Sequence, residues 1–92
     1  MAFNLSYYMK LTIEKNEEQI VAYKASVDES QRGYDISVKR FNSGLGTQLE
    51  VTDAQLVYTN SAINLLRSVH EYYIAHARLE HLLGEQNYVY KN

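Results

Sequence analysis

Two long segments with apolar residues at every seventh position are separated by a single short, glycine-bearing turn, and no proline interrupts either segment. That arrangement limits what the chain can fold into. In the first segment the repeat is Ile13, Ile20, Val27, Tyr34 and Phe41; in the second it is Val51, Tyr58, Leu65, Tyr72 and Leu79. A seven-residue apolar repeat stays on one helical face only when helices wind around each other in a left-handed supercoil. Each internal proline would cost a helix about 3 kcal/mol, so the lack of any fits long unbroken rods. The interruption reads Arg40-Phe41-Asn42-Ser43-Gly44-Leu45-Gly46-Thr47-Gln48-Leu49. A glycine in the left-handed conformation ends a helix readily, and a threonine soon after can cap the next one. So short a turn folds the two rods back on each other. The predicted fold class is all-α, a long antiparallel, coiled-coil-like helical hairpin. It forms one unit over residues 1–92, with helices at about 5–42 and 49–83, a tip at 43–48 and a tail from 84.

The faces of the two rods carry the next inference. In the first, the companion positions four residues earlier are Met9, Asn16, Tyr23, Ser30 and Ser37, small or polar toward the tip. In the second, Gln55, Ala62, Val69, His76 and Leu83 interleave four residues on. The predicted helix-packing residues are Ile13, Ile20, Val27, Tyr34, Val51, Tyr58, Leu65, Val69, Tyr72 and Leu79. A further stripe, Leu49, Leu56, Ile63, Leu66, Tyr73 and Ala77, brings the apolar surface of the second helix beyond what one partner can hide. Exposed apolar surface of that length marks an interface. The hairpin is therefore expected to pack with others, into an α-barrel or a four-helix bundle. Each rod should measure roughly 50–55 Å at 1.5 Å per residue. Gly33 should weaken the first helix by about 1 kcal/mol, with close packing against another helix as its expected reason, and Gly84 is the expected C-terminal cap.

Composition removes several function classes. Ninety-two residues in two helices enclose almost no interior, and without cysteine neither a disulfide nor a thiolate metal site can add stability. A net charge of −2 lacks the basic stripe of a phosphate-binding surface, so no nucleic-acid partner is expected. No apolar run of about 18 residues can span a bilayer as a helix. The start, Met1-Ala2-Phe3-Asn4-Leu5-Ser6-Tyr7-Tyr8, does not read as a signal peptide, so the chain is expected to carry no address of its own. Nine tyrosines and no tryptophan suit surfaces that are half packed and half wet.

Candidate chemistry is sparse. Gly44-Leu45-Gly46 lacks the preceding strand and following lysine of a phosphate-cradling loop. His70, His76 and His81, with Glu71 and Glu80, do not form the Glu-x-x-His pairs of a helical di-metal site, so no metal and no cofactor are expected. Arg40 and Asp53 flank the turn and are placed to pair across it, for about 0–1 kcal/mol. Glu14, Glu17, Glu18, Asp28, Glu29 and Asp35 form a wet face of the first helix, or the wall of a cation-attracting lumen. No nucleophile, base and orienting group come together, so the chain is not expected to be an enzyme.

The tip carries a resemblance. Arg40-Phe41, two residues, Gly44, then Leu49-Glu50-Val51 and Asp53-Ala54-Gln55 resemble the hairpin turn of the TolC-like outer membrane efflux proteins. Glu71-Tyr72-Tyr73-Ile74-Ala75 and Leu79-Glu80-His81-Leu82-Leu83-Gly84 resemble the later part of that family's second periplasmic hairpin. The resemblance covers about half the chain, from Tyr34 to Gly84. It implies a homotrimer whose protomers contribute strands to an outer-membrane barrel and helices to a periplasmic tunnel of twelve. It further implies a tip that docks a periplasmic adaptor protein, assigned here to Arg40, Phe41, Ser43, Gly44, Leu45, Gly46, Thr47 and Leu49. The family's entrance often carries polar or charged residues near the turn, whereas Leu45 and Gly46 are apolar and small. Lacking the barrel strands and the first hairpin, the chain looks like a piece of a longer protein. The competing expectation is a free-standing interaction module that self-associates into a four-helix bundle.

Overall fold

The computed structural model describes residues 4–90, with side chains described through Glu85. Helix α1 spans Leu5–Asn42 and helix α2 spans Gln48–Tyr90. They form an extended hairpin of 73 × 23 × 14 Å, with no strand among the described residues. Helix α1 starts where Asn4 offers a cap: its side-chain oxygen accepts the Tyr7 N–H at 3.0 Å. It ends with Lys39 and Arg40 in the last turn, where positive charge meets the negative end of the helix dipole.

Helix α2 runs on where the sequence suggested a stop. Gly84 lies inside it, without positive φ, and the tail from residue 84 is helical to Tyr90. A helix-interior glycine costs only about 1 kcal/mol. His81 and Glu85, 2.9 Å apart and one turn from each other, bridge the glycine. The extra turns carry the hairpin past the expected length. Residues 1–3, part of the stretch read for a signal peptide, and residues 91–92 lie outside the described residues, as do the side chains of the Tyr-Val-Tyr run at 88–90.

The seam between the helices is narrow and only partly dry. Ile13 and Leu79 are its buried apolar residues, and Ile20, Val27, Tyr34, Val51, Tyr58, Leu65 and Tyr72 line it half-buried. From α1, Met9, Asn16, Tyr23, Ser30 and Ser37 complete it at the companion positions, with Asn16 and Ser37 buried. From α2 the completing residues are Ala54, Ser61, Ser68, Ala75 and Leu82, three residues after each member of the repeat. The four-on set is displaced to the flank: Ala62, Val69 and His76 are half-buried there, and Gln55 and Leu83 are exposed.

This shift has a packing reason. Small residues at Ala54, Ser61, Ser68 and Ala75 let the backbones approach, while four of the five four-on positions, Gln55, Val69, His76 and Leu83, are larger. Ser68 is only 2% exposed, and its hydroxyl donates to the Leu65 carbonyl at 2.8 Å. Ser37 and Ser30 donate likewise to Tyr34 and Val27 at 2.7 and 3.0 Å. Bonding back into their own helix, these hydroxyls leave no buried side-chain polar atom unpaired among the described residues. Tyr34 and Tyr58 face each other across the seam with ring centres 6.4 Å apart. Gly33 is exposed, and a Cβ there would meet nothing within 4 Å, so the hairpin itself supplies no close partner for it.

Candidate functional site

The tip and the outer edge of α2 present apolar side chains to the outside, as does the start of α1 with Leu5, Tyr7, Tyr8 and Leu11. At the tip, Gly44 takes φ +80°, the left-handed conformation that ends α1. The Leu45 N–H donates to the Arg40 carbonyl at 2.9 Å and the Gly44 N–H to the Phe41 carbonyl at 3.1 Å. This is the paired hydrogen-bond pattern of a Schellman cap, which satisfies the last carbonyls of α1. Thr47 opens α2 by accepting the Glu50 N–H on its hydroxyl oxygen at 3.2 Å.

Arg40 organises the turn with both its backbone and its side chain. Its carbonyl also accepts the Gly46 N–H at 3.0 Å and the Ser43 hydroxyl at 3.0 Å. Its guanidinium donates to the Leu45 carbonyl at 3.2 Å and to the Glu50 carboxylate at 3.4 Å. The ion pair expected with Asp53 is thus formed with Glu50 instead. Glu50 lies on the same side of the hairpin as Arg40, one helical turn nearer the tip than a pairing with Asp53 requires. Gly46 sits where a Cβ would come within 2.8 Å of the Glu50 carboxylate and 3.1 Å of the Arg40 Cβ, so a side chain there would displace Glu50 from its contact with Arg40.

The hydroxyls of Ser43 and Thr47 are engaged within the turn, whereas its apolar groups are not covered. Leu45 is 74% exposed, and Phe41 and Leu49 are exposed beside it in sequence. What the tip offers a partner is therefore apolar surface on a rigidly hydrogen-bonded loop. Arg40 remains half accessible at its edge.

The outer edge of α2 is the larger surface. Leu49, Leu56, Ile63, Leu66 and Tyr73 are all exposed, Leu66 at 69%. They occupy the side of α2 turned away from α1. Adjacent to them, residues 54–66 contain no charged side chain at all. Interface cores are depleted in charge in this way.

The titratable groups do not converge. His76 packs edge-on against Tyr72, with ring centres 4.7 Å apart, on the flank of the seam. The Tyr72 hydroxyl donates to Glu17 across the hairpin at 3.3 Å. Partial desolvation in the seam, and then the Glu17 carboxylate, hold that phenol above its ordinary range. His81 pairs within its own helix, and His70 is exposed. Beside the open end, a shallow groove of about 240 Å³ is lined by Leu5, Tyr8, Met9, Thr12, Ala75 and Arg78.

A family model described as outer membrane efflux protein matches residues 9–85 of the chain. No curated protein and no solved structure matches it.

Proposed function

The chain belongs to the outer membrane efflux protein family, and from that premise we propose that it is one stave of the periplasmic tunnel wall, with a tip that docks a periplasmic adaptor protein. Membership carries a transport role at the outer membrane rather than catalysis, in proteins that are trimeric channels. No described helix is long and apolar enough to cross a membrane. In this reading the hairpin lies in the part of the channel outside the bilayer, as a passive lining of the conduit.

The observation that carries this reading is the position of the exposed stripe on α2. A helix in a wall one helix thick has a neighbour on each flank, and its remaining two faces are wet. At 3.5 residues per turn, the middle of the Leu49–Leu56–Ile63–Leu66–Tyr73 stripe lies roughly 155° around α2 from the middle of the seam. In a ring of twelve helices each one sees its two neighbours about 150° apart, whereas a compact four-helix bundle needs roughly 90°. The stripe suits a curved wall. The small fraction of buried residues in the isolated hairpin supports the same reading, because a stave completes its packing only among its neighbours.

For the tip, the support is Phe41, Leu45 and Leu49 held exposed by the hydrogen bonds of Arg40, Ser43, Gly44 and Thr47. The docking surface is apolar, and Gly46 keeps the loop tight enough to enter a partner's groove. Leu45→Asp in the full-length channel should weaken adaptor binding at least tenfold while helix content and trimer yield stay the same. Unchanged adaptor binding, measured by pull-down and by export, would refute the docking role.

A further inference from the structure

The charges at the two ends of the neutral stretch on α2 are opposite and lie on one line of the helix. Asp53 and Arg67 are separated by two seven-residue steps, with Asn60 midway. All three are exposed, and neither Asp53 nor Arg67 makes an ion pair within the hairpin among the described residues. The line runs beside the exposed apolar stripe, on the same outward side of the helix. An arrangement that reads acid, neutral, base in one direction reads base, neutral, acid in the other. It is therefore complementary to itself when a second copy is laid against it antiparallel.

We propose that the free chain pairs with a second copy of itself, α2 against α2 and antiparallel, about a twofold axis passing near Asn60. In that register Asp53 faces the partner's Arg67 and Arg67 faces the partner's Asp53, so two ion pairs close the contact at either end. Between them Leu56 meets Leu66 of the partner subunit and Thr59 meets Ile63 of the partner subunit; beyond the ion pairs Leu49 meets Tyr73 of the partner subunit. On the other flank the facing residues are Ala62 and its symmetry mate. Leu meets Leu and Leu meets Tyr in the larger layers, Thr59 fits beneath Ile63 of the partner subunit, and no like charges come together. Sliding one copy by seven residues in either direction breaks both ion pairs, and a parallel arrangement brings Asp53 beside its own copy.

The outer face of α1 does not offer this. It alternates Glu14, Glu18, Asp28, Arg32, Asp35 and Lys39, all exposed, and would bury charges against the stripe. Because the stripe lies nearly opposite the seam, the four helices form a row, α1–α2–α2–α1, rather than a compact bundle. The proposal concerns the 92-residue chain in solution and holds or fails independently of the channel reading.

Sedimentation equilibrium of the chain should give a dimer. Asp53→Arg alone and Arg67→Asp alone should each weaken it about tenfold, by turning two attractive contacts into repulsive ones. The double variant Asp53→Arg with Arg67→Asp should restore the original affinity, which a general loss of folding would not do. The chain has no cysteine, so Asn60→Cys should form an intermolecular disulfide under mild oxidation, and Ala25→Cys on the outer face of α1 should not. A monomer, a trimer or higher ring, a dimer indifferent to both charge reversals, or equal cross-linking at positions 25 and 60 would overturn the proposal.

Discussion

The outer face of α1 and the outer face of α2 occupy equivalent places in the hairpin, each directly behind the shared seam, yet they are made of different material. Behind α1 stand Glu14, Glu18, Asp28, Arg32, Asp35 and Lys39, interrupted by Leu11, Val21, Ala25 and, at the edge, Ile36. Behind α2 stand Leu49, Leu56, Ile63, Leu66 and Tyr73, with no charge anywhere in residues 54–66. Both helices meet the same partner on the inside, so the seam cannot account for the difference. It reports what each helix meets on the outside. The α1 face is comfortable in water, or against a polar neighbour. The α2 face is a contiguous apolar patch of the kind that marks an interaction surface.

The strongest way to break that contrast is to charge one face and neutralise the other in the full-length channel. Leu56→Asp with Leu66→Asp should reduce the trimer recovered from membranes at least tenfold, since each carboxylate would be buried without a partner. Glu18→Ala with Asp28→Ala should leave recovery within about twofold. Equal losses on native gels would mean the two faces are packed alike.

A smaller effect sharpens the picture on the α1 side. Gly33→Ala has open space for its Cβ and should raise the stability of the hairpin to urea by about 1 kcal/mol. A loss of trimer in the full-length protein, with this gain kept in the free chain, would reveal a neighbour approaching α1 closely at Gly33. The least change is expected from Val21→Glu, a substitution into a face that is already charged. Thermal unfolding of the free chain should place it within about 0.5 kcal/mol of the parent.

Much of this architecture was legible from the residues, because long-period patterns survive without tertiary information. The repeat from Ile13 to Phe41 and its counterpart from Val51 to Leu79 marked the two rods, and Gly44 marked where the first one ends. The stripe from Leu49 to Tyr73 announced itself as surplus apolar area. Other features were not readable. Whether the seam of α2 is completed three or four residues after each repeat position depends on how closely the two backbones approach, and Ser61 and Ser68 look no more like core than Ala62 and Val69. Partner choice at the tip was hidden for a similar reason. Glu50 and Asp53 are both acidic and both near Arg40 in sequence, and only the register of the folded hairpin selects Glu50. Gly84 misled because a glycine followed by polar residues usually ends a helix, yet here the helix absorbs it and continues.

Sequence by itself determined that the chain forms two long helical rods joined at one glycine turn, since periodicity and the absence of proline are local properties of each segment. It also determined that the second rod carries more apolar surface than the first can cover. Only the tertiary structure decided where that surplus points. Rotation of α2 about its own axis is fixed by the small residues that face α1, and once Ser68 and Ala75 turn inward, Leu56 and Leu66 are left facing out.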